Sequence, residues 1–130
     1  MRIITFGSYD VFHVGHVNLL ERAKLHGSHL IVGVSSDQLN MSKKQRYPIY
    51  SEEDRVHIIR SLKCVDEVFV EESLEQKEEY INYYNADILV MGDDWQGKFD
   101  HLKHCCDVIY LPRTPSVSTT EIIEIVKTKR

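Results

Sequence analysis

Two histidines bracket a glycine in the segment Gly7-Ser8-Tyr9-Asp10-Val11-Phe12-His13-Val14-Gly15-His16. An apolar run, Ile3–Phe6, stands before it and reads as a strand. A helix beginning near Val14 would turn its free N–H groups and the positive end of its dipole into the loop, which makes an anion site. His13 and His16 are three residues apart, so both rings reach one ligand from one helix face. Gly15 carries no side chain, so a phosphate can approach the backbone closely, and Ser8 adds a hydroxyl at the strand end. A His-x-x-His pair also suits zinc, but that reading needs further ligands than this segment supplies.

Elements of a particular kind must position such a loop. Short apolar runs alternate with helical periodicity along the chain. Strands are expected at Ile3–Phe6, His29–Val34, Glu67–Val70, Ile88–Met91 and Val108–Leu111, and helices near Val17–His26, Glu52–Leu62, Leu74–Tyr84, His101–Cys105 and Thr119–Lys127. Gly27 sits where a C′ glycine would end the first helix. Ser51 followed by Glu52, Glu53 and Asp54 reads as an N-cap with an acidic first turn, and Ser118 with Glu121 as a capping box. Alternating strands and helices imply an α/β fold of parallel βαβ units, whose ligands sit beyond the carboxyl ends of the strands.

Composition sets outer limits. The chain has 130 residues, 42% hydrophobic and 28% charged, with formal net charge −4. That length fits one domain, and that charge gives no basic field for nonspecific nucleic-acid binding. An anionic ligand must therefore be held by a local cluster of donors. No run approaches the roughly 18 apolar residues of a membrane span. Cys64, Cys105 and Cys106 form no disulfide framework, so a reducing, cytoplasmic setting is expected.

The His13-Val14-Gly15-His16 segment resembles the His-x-Gly-His signature of the cytidylyltransferase branch of the nucleotidylyltransferases. Arg113-Thr114-Pro115-Ser116-Val117-Ser118-Thr119-Thr120 resembles the second signature of that branch, and opens the last helix as a second anion cradle. Met91-Gly92-Asp93-Asp94-Trp95-Gln96-Gly97-Lys98-Phe99-Asp100 is similar to the form found in glycerol-3-phosphate cytidylyltransferases. The likeness runs the length of the chain. It implies a single catalytic domain over residues 1–130, built on a Rossmann-like open parallel sheet of about five strands in the order 3-2-1-4-5, with helices on both faces.

The resemblance also implies a reaction. CTP and glycerol 3-phosphate give CDP-glycerol and pyrophosphate, by direct in-line attack of the acceptor phosphate on the α-phosphorus, without a protein nucleophile. His13, His16, Lys43, Lys44 and Arg113 are then expected to act on the transition state. The nucleotide would lie against Phe6, Gly7, Ser8, Tyr9, Gly15, Gly92, Asp94, Thr114, Ser118, Thr119 and Thr120. Asp94 would accept from the exocyclic amine of cytosine and Arg113 would meet the ring carbonyl. Arg55, Lys63, Trp95 and Lys98 are the acceptor-binding candidates. Mg2+ is expected as cofactor, held mainly by triphosphate oxygens. A homodimer serving teichoic-acid or capsular polymer synthesis is implied as well.

Several of these residues have plainer readings. The segment Asn40–Arg46 is expected as a mobile loop carrying Lys43 and Lys44, or else as a solvated charge run. Arg55 would otherwise pair with Glu52 or Asp54 on a helix surface, and Trp95 would fill core. Asp93 and Asp94, with Asp10 as a third ligand, are a rival metal set. His101, His104 and Cys105 fall on one side of a short helix; a surface helix with buried thiols is preferred there over a metal site. The Tyr80, Tyr83 and Tyr84 stripe suits core or a dimer contact. Lys63 stands where the resembled enzymes carry arginine, keeping charge but losing the bidentate fork, and Ser8 stands where threonine is usual. Another phosphorylated alcohol as acceptor, or a CTP-binding regulatory module without turnover, are the alternatives.

Overall fold

The computed structural model describes residues 1–112 and 118–128. Five strands, β1 (Arg2–Gly7), β2 (His29–Ser35), β3 (Glu67–Glu71), β4 (Ile88–Gly92) and β5 (Asp107–Leu111), form one parallel sheet in the order β3-β2-β1-β4-β5. The expected strand order and all five expected strands are therefore present, each within two residues of its predicted ends. β1 and β2 are in register from Arg2↔His29 to Gly7↔Val34, and β1 meets β4 at Ile3↔Ile88.

Parallel strands buried on both faces read as continuous apolar runs. Leu30, Ile31, Val32 and Val34 are all fully buried, as are Ile3 and Ile4. Successive residues serve opposite layers. Ile3, Leu30 and Val32 pack with Leu20 and Ala23 of α1 (Val14–Lys24) and Ile59 of α3 (Glu52–Arg60). Ile4, Ile31 and Leu89 pack with Ile81 of α4 (Lys77–Tyr83) and with Phe99 and Leu102. Helices thus cover both faces, and the strand order reverses between β1 and β4, which opens a crevice at their carboxyl ends.

Three helix expectations need correcting. α1 starts at Val14, as the anion-loop reading expected and three residues before the apolar periodicity begins, because His13 caps it. Its end does not use a left-handed glycine: the C-cap is Leu25 in the right-handed region. Gly27 is there for another reason, since a Cβ would lie 2.4 Å from the Met1 carbonyl oxygen as β1 begins alongside. The segment around Lys43 is a helix, α2 (Asp37–Lys44), not a loop. Ser36 caps it, accepting from Leu39 N–H at 3.0 Å, Asp37 opens it and two lysines close it, which suits the dipole at both ends. Only Leu39 and Asn40 of this helix are buried, so no apolar stripe announced it. In place of the expected helix at His101–Cys105 there is a single 3-10 turn, Asp100–Leu102. The last helix, α5 (Thr119–Thr128), forms where expected, with Ser118 Oγ accepting from Glu121 N–H at 3.1 Å.

Candidate active site

The loop between β1 and α1 is held in a strained shape. Tyr9 and Val11 both have positive φ, 55° and 48°, and a β-branched residue there is uncommon enough to need support. Asp10 supplies it. One carboxylate oxygen accepts from Val11 N–H at 3.1 Å and Tyr50 N–H at 2.9 Å, the other from Ile49 N–H at 2.8 Å. Its carbonyl accepts from the Thr119 hydroxyl at 2.8 Å, which ties α5 to the loop. Asp10 as a metal ligand is thereby corrected, because both carboxylate oxygens are engaged by backbone donors.

Arg55 braces the same loop from beneath. It is fully buried, and its guanidinium donates to the carbonyls of Tyr50 (3.0 Å), Ser8 (2.9 Å) and Ser35 (2.8 Å) and to Asp37 Oδ1 (2.7 Å). Neither the expected acceptor contact nor a pairing with Glu52 or Asp54 fits this geometry. Arg55 locks the starts of α2 and α3 against the end of β1 instead. Lys63 is also misplaced as an acceptor ligand. It is exposed in the turn before β3, at the amino end of the sheet, whereas the crevice is at the carboxyl end.

The two histidines define the floor of the crevice. His13 Nδ1 accepts from Gly15 N–H at 3.0 Å, and His16 Nδ1 accepts from His13 N–H at 3.1 Å. This is a reciprocal capping box built from imidazoles. A ring nitrogen that accepts carries no proton, so the proton of each neutral ring sits on Nε2. The rings stack 3.8 Å apart, and Phe12 stacks on His16 at 5.2 Å. Burial lowers both histidine pKa values, and burial together with the His13 charge brings His16 down to about 4. Both rings are therefore neutral hydrogen-bond donors at pH 7.

An unfolded histidine titrates near 6.5, so between that pH and about 4 the unfolded chain binds the proton that folded His16 resists. Stability is expected to be intact above 6.5 and to fall as the pH drops through this window. Urea midpoints measured from pH 7 to pH 4 should show the decline, and His16→Asn should flatten it. An identical slope in the variant would assign the loss to other groups.

Above the rings lies an open cleft. It brings together Phe6, Gly7, Ser8, Tyr9, His13, Gly15, His16, Lys44, Gly92, Asp94, Trp95, Ser118 and Thr119 from the expected set. Thr120 lines a smaller adjoining pocket with Ser8, Lys44 and Arg46. Arg113 and Thr114 lie outside the described residues. Lys98 is exposed and lines neither space, its ammonium 5.9 Å from the centre of the Trp95 ring.

Next to the cleft, and sharing Phe6, Gly7, Ser8, Lys44, Met91 and Trp95 with it, is a second hollow. Lys43, Glu71 and Lys77 line it as well. Lys77 Nζ lies 2.5 Å from Glu71 Oε2 and 4.3 Å from the centre of the Phe6 ring, with both ionic partners buried. Burial lowers the Lys77 pKa and raises that of Glu71. Burial, with Lys44 nearby, brings Lys43 down to about 8. Sequence reasoning missed Lys77 and Glu71. Lys77 sits in a charged run that reads as a solvated face, but Glu71 ends a strand, where the rule for open sheets directs attention. Here, then, is the local cationic cluster that a chain of net charge −4 requires for an anionic ligand.

Comparison with known proteins agrees with this arrangement. The cytidylyltransferase-like family model matches residues 4–125. Glycerol-3-phosphate cytidylyltransferase of Bacillus subtilis is 49% identical over 123 residues, covering 95% of each chain. The enzyme of that name from Staphylococcus aureus is 45% identical over 121 residues, covering 93% of this chain and 91% of its own. A lipopolysaccharide core biosynthesis protein from Thermoplasma volcanium shares the fold, with TM-score 0.73 at 23% identity, over 88% of this chain and 98% of that one. A histidine-capped helix start at the strand-order reversal and likeness over nearly the full length lead to one conclusion: the chain belongs to the cytidylyltransferase-like family.

Proposed function

We propose that this protein transfers CMP from CTP to glycerol 3-phosphate, releasing pyrophosphate and forming CDP-glycerol. The observation that carries the reading is the pair of connected spaces, one floored by neutral histidines at a helix start and the other by lysines. The α-phosphoryl group belongs above His13 and His16, whose Nε2–H groups donate to its oxygens as charge grows in the transition state. Ser118 Oγ is the acceptor of the helix cap, which leaves its O–H to join the first amides of α5 in holding the outer phosphates. The acceptor phosphate enters from the hollow beside Lys43, Lys44 and Lys77. Its dianion is already a competent nucleophile, so positioning and charge stabilisation suffice.

Among the described residues, the single group of three His, Cys, Asp or Glu side chains spaced to hold a metal ion lies away from the cleft. Mg2+ would take mainly triphosphate oxygens and water as ligands, and would offset phosphate charge when bound. No helix among the described residues is long and apolar enough to cross a membrane. A cytoplasmic homodimer fits three free thiols and exposed apolar side chains such as Tyr47, Ile49 and Tyr83.

Pyrophosphate release with CTP, ATP and UTP against a panel of phosphorylated alcohols tests the reading. Turnover is expected with CTP and glycerol 3-phosphate; turnover with ATP in preference to CTP would overturn the nucleotide assignment. Asp94 is an exposed carboxylate lining the cleft, placed there to accept from the cytosine amine in our reading. Uracil would present a carbonyl to that carboxylate, a repulsive contact. Asp94→Asn should raise kcat/KM for UTP relative to CTP by about tenfold, equivalent to ~1.4 kcal/mol. An unchanged ratio would move base recognition elsewhere.

A further inference from the structure

Outside the cleft, three side chains of different chemistry converge on the back of α4. Glu78, in the first turn of that helix, meets His104 and Cys105, which follow the 3-10 turn. One ligand atom from each lies within 4.8 Å of the others. His104 Nδ1 is 2.7 Å from the His101 carbonyl oxygen, which can only accept, so Nδ1 carries the proton. Its Nε2 is 2.9 Å from Glu78 Oε1. With Nδ1 committed, Nε2 and the carboxylate would confront each other as two acceptors unless a cation stands between them. A second ring proton fills that need, and so does a metal ion.

We propose that Glu78, His104 and Cys105 form a zinc-binding site, with water completing a tetrahedron. Imidazole, carboxylate and thiolate together suit a borderline-soft ion such as Zn2+ and not Mg2+ or Ca2+. The His101 carbonyl does for His104 what outer partners do for metal-bound histidines, fixing the tautomer and aiming Nε2. Cys105 Sγ now donates to the Leu102 carbonyl at 3.2 Å; on binding it gives up that proton, so affinity falls as the pH is lowered. The neighbouring Cys106 is buried, with its Sγ turned to the Leu102 carbonyl at 3.8 Å, and does not join the three converging ligand atoms. The position matters to the enzyme. The ion would clip α4, whose first residue is Lys77, to the turn that begins just after Phe99, and both of those residues wall the lysine hollow.

The test is titration of the full-length, nucleotide-free protein with Co2+, followed by Zn2+ competition. A thiolate-to-cobalt charge-transfer band that Zn2+ abolishes is expected, with a rise in Tm on adding Zn2+. Cys105→Ser should remove the band, and His104→Ala should weaken binding at least about tenfold, since even outer partners of metal sites are worth that much. Cys105→Ser assayed with Mg2+ and without added Zn2+ should keep wild-type turnover, which shows that the variant is folded. Absence of the band, or its survival in Cys105→Ser, would overturn the proposal and leave Glu78 and His104 as a proton-bridged ion pair.

Discussion

His16→Asn is expected to lower kcat by two or more orders of magnitude while stability at pH 7 stays near that of the wild type. The asparagine side-chain oxygen falls about where Nδ1 stands, so it can still accept from His13 N–H and preserve the reciprocal cap. What it lacks is the Nε2–H donor aimed into the cleft. Loss of one donor that acts on developing charge removes about 2.7–4 kcal/mol of transition-state stabilisation, or 10²–10³ in rate. His16→Gln is the complementary change, because its amide nitrogen falls about where Nε2 stands. It should retain more turnover than His16→Asn. Stopped-assay kinetics and urea melts on both variants check the pair. If asparagine turns over as fast as wild type, the ring is a helix cap and nothing more.

The second large effect concerns Arg55. Arg55→Ala should destabilise the fold by about 3–5 kcal/mol, because it removes the buried donor that satisfies three backbone carbonyls and pairs with the partly exposed Asp37. Against a total of about 5–15 kcal/mol this approaches unfolding. Arg55→Lys keeps the charge but offers no planar fork, and so should recover only part of the loss. The measurement is the urea midpoint of each variant, alongside KM for the acceptor in Arg55→Lys. A bracing residue loses stability with little selective change in that KM. Full stability with a raised acceptor KM would return Arg55 to the pocket and contradict the geometry.

Much of the molecule could be read from the sequence because its signals are local and strong. Buried parallel strands appear as apolar runs, and the cap of α5 is written in Ser118 and Glu121. The histidines declare themselves by spacing from a strand end. Where reading failed, the determinants were tertiary. α2 has no apolar stripe, because one short polar helix is held by Ser36, by Asn40 and by Arg55 at its start. Arg55 looks like a surface cation until the chain brings Ser8, Ser35 and Asp37 around it. Lys77 looks solvated until β3 delivers Glu71 beside it. Lys63 failed differently: the match to a family position carried no information about which end of the sheet it occupied.

Direct transfer from CTP to the acceptor, with no covalent intermediate on the protein, can be tested by the stereochemical course at the α-phosphorus. CTP bearing sulfur at one chiral α-position would be turned over with glycerol 3-phosphate, and the configuration of the thio-CDP-glycerol determined by 31P NMR. A single in-line displacement above His13 and His16 gives inversion, the expected result. Retention would require two displacements through a nucleotidylated side chain and would contradict a site that works by positioning and hydrogen bonding alone.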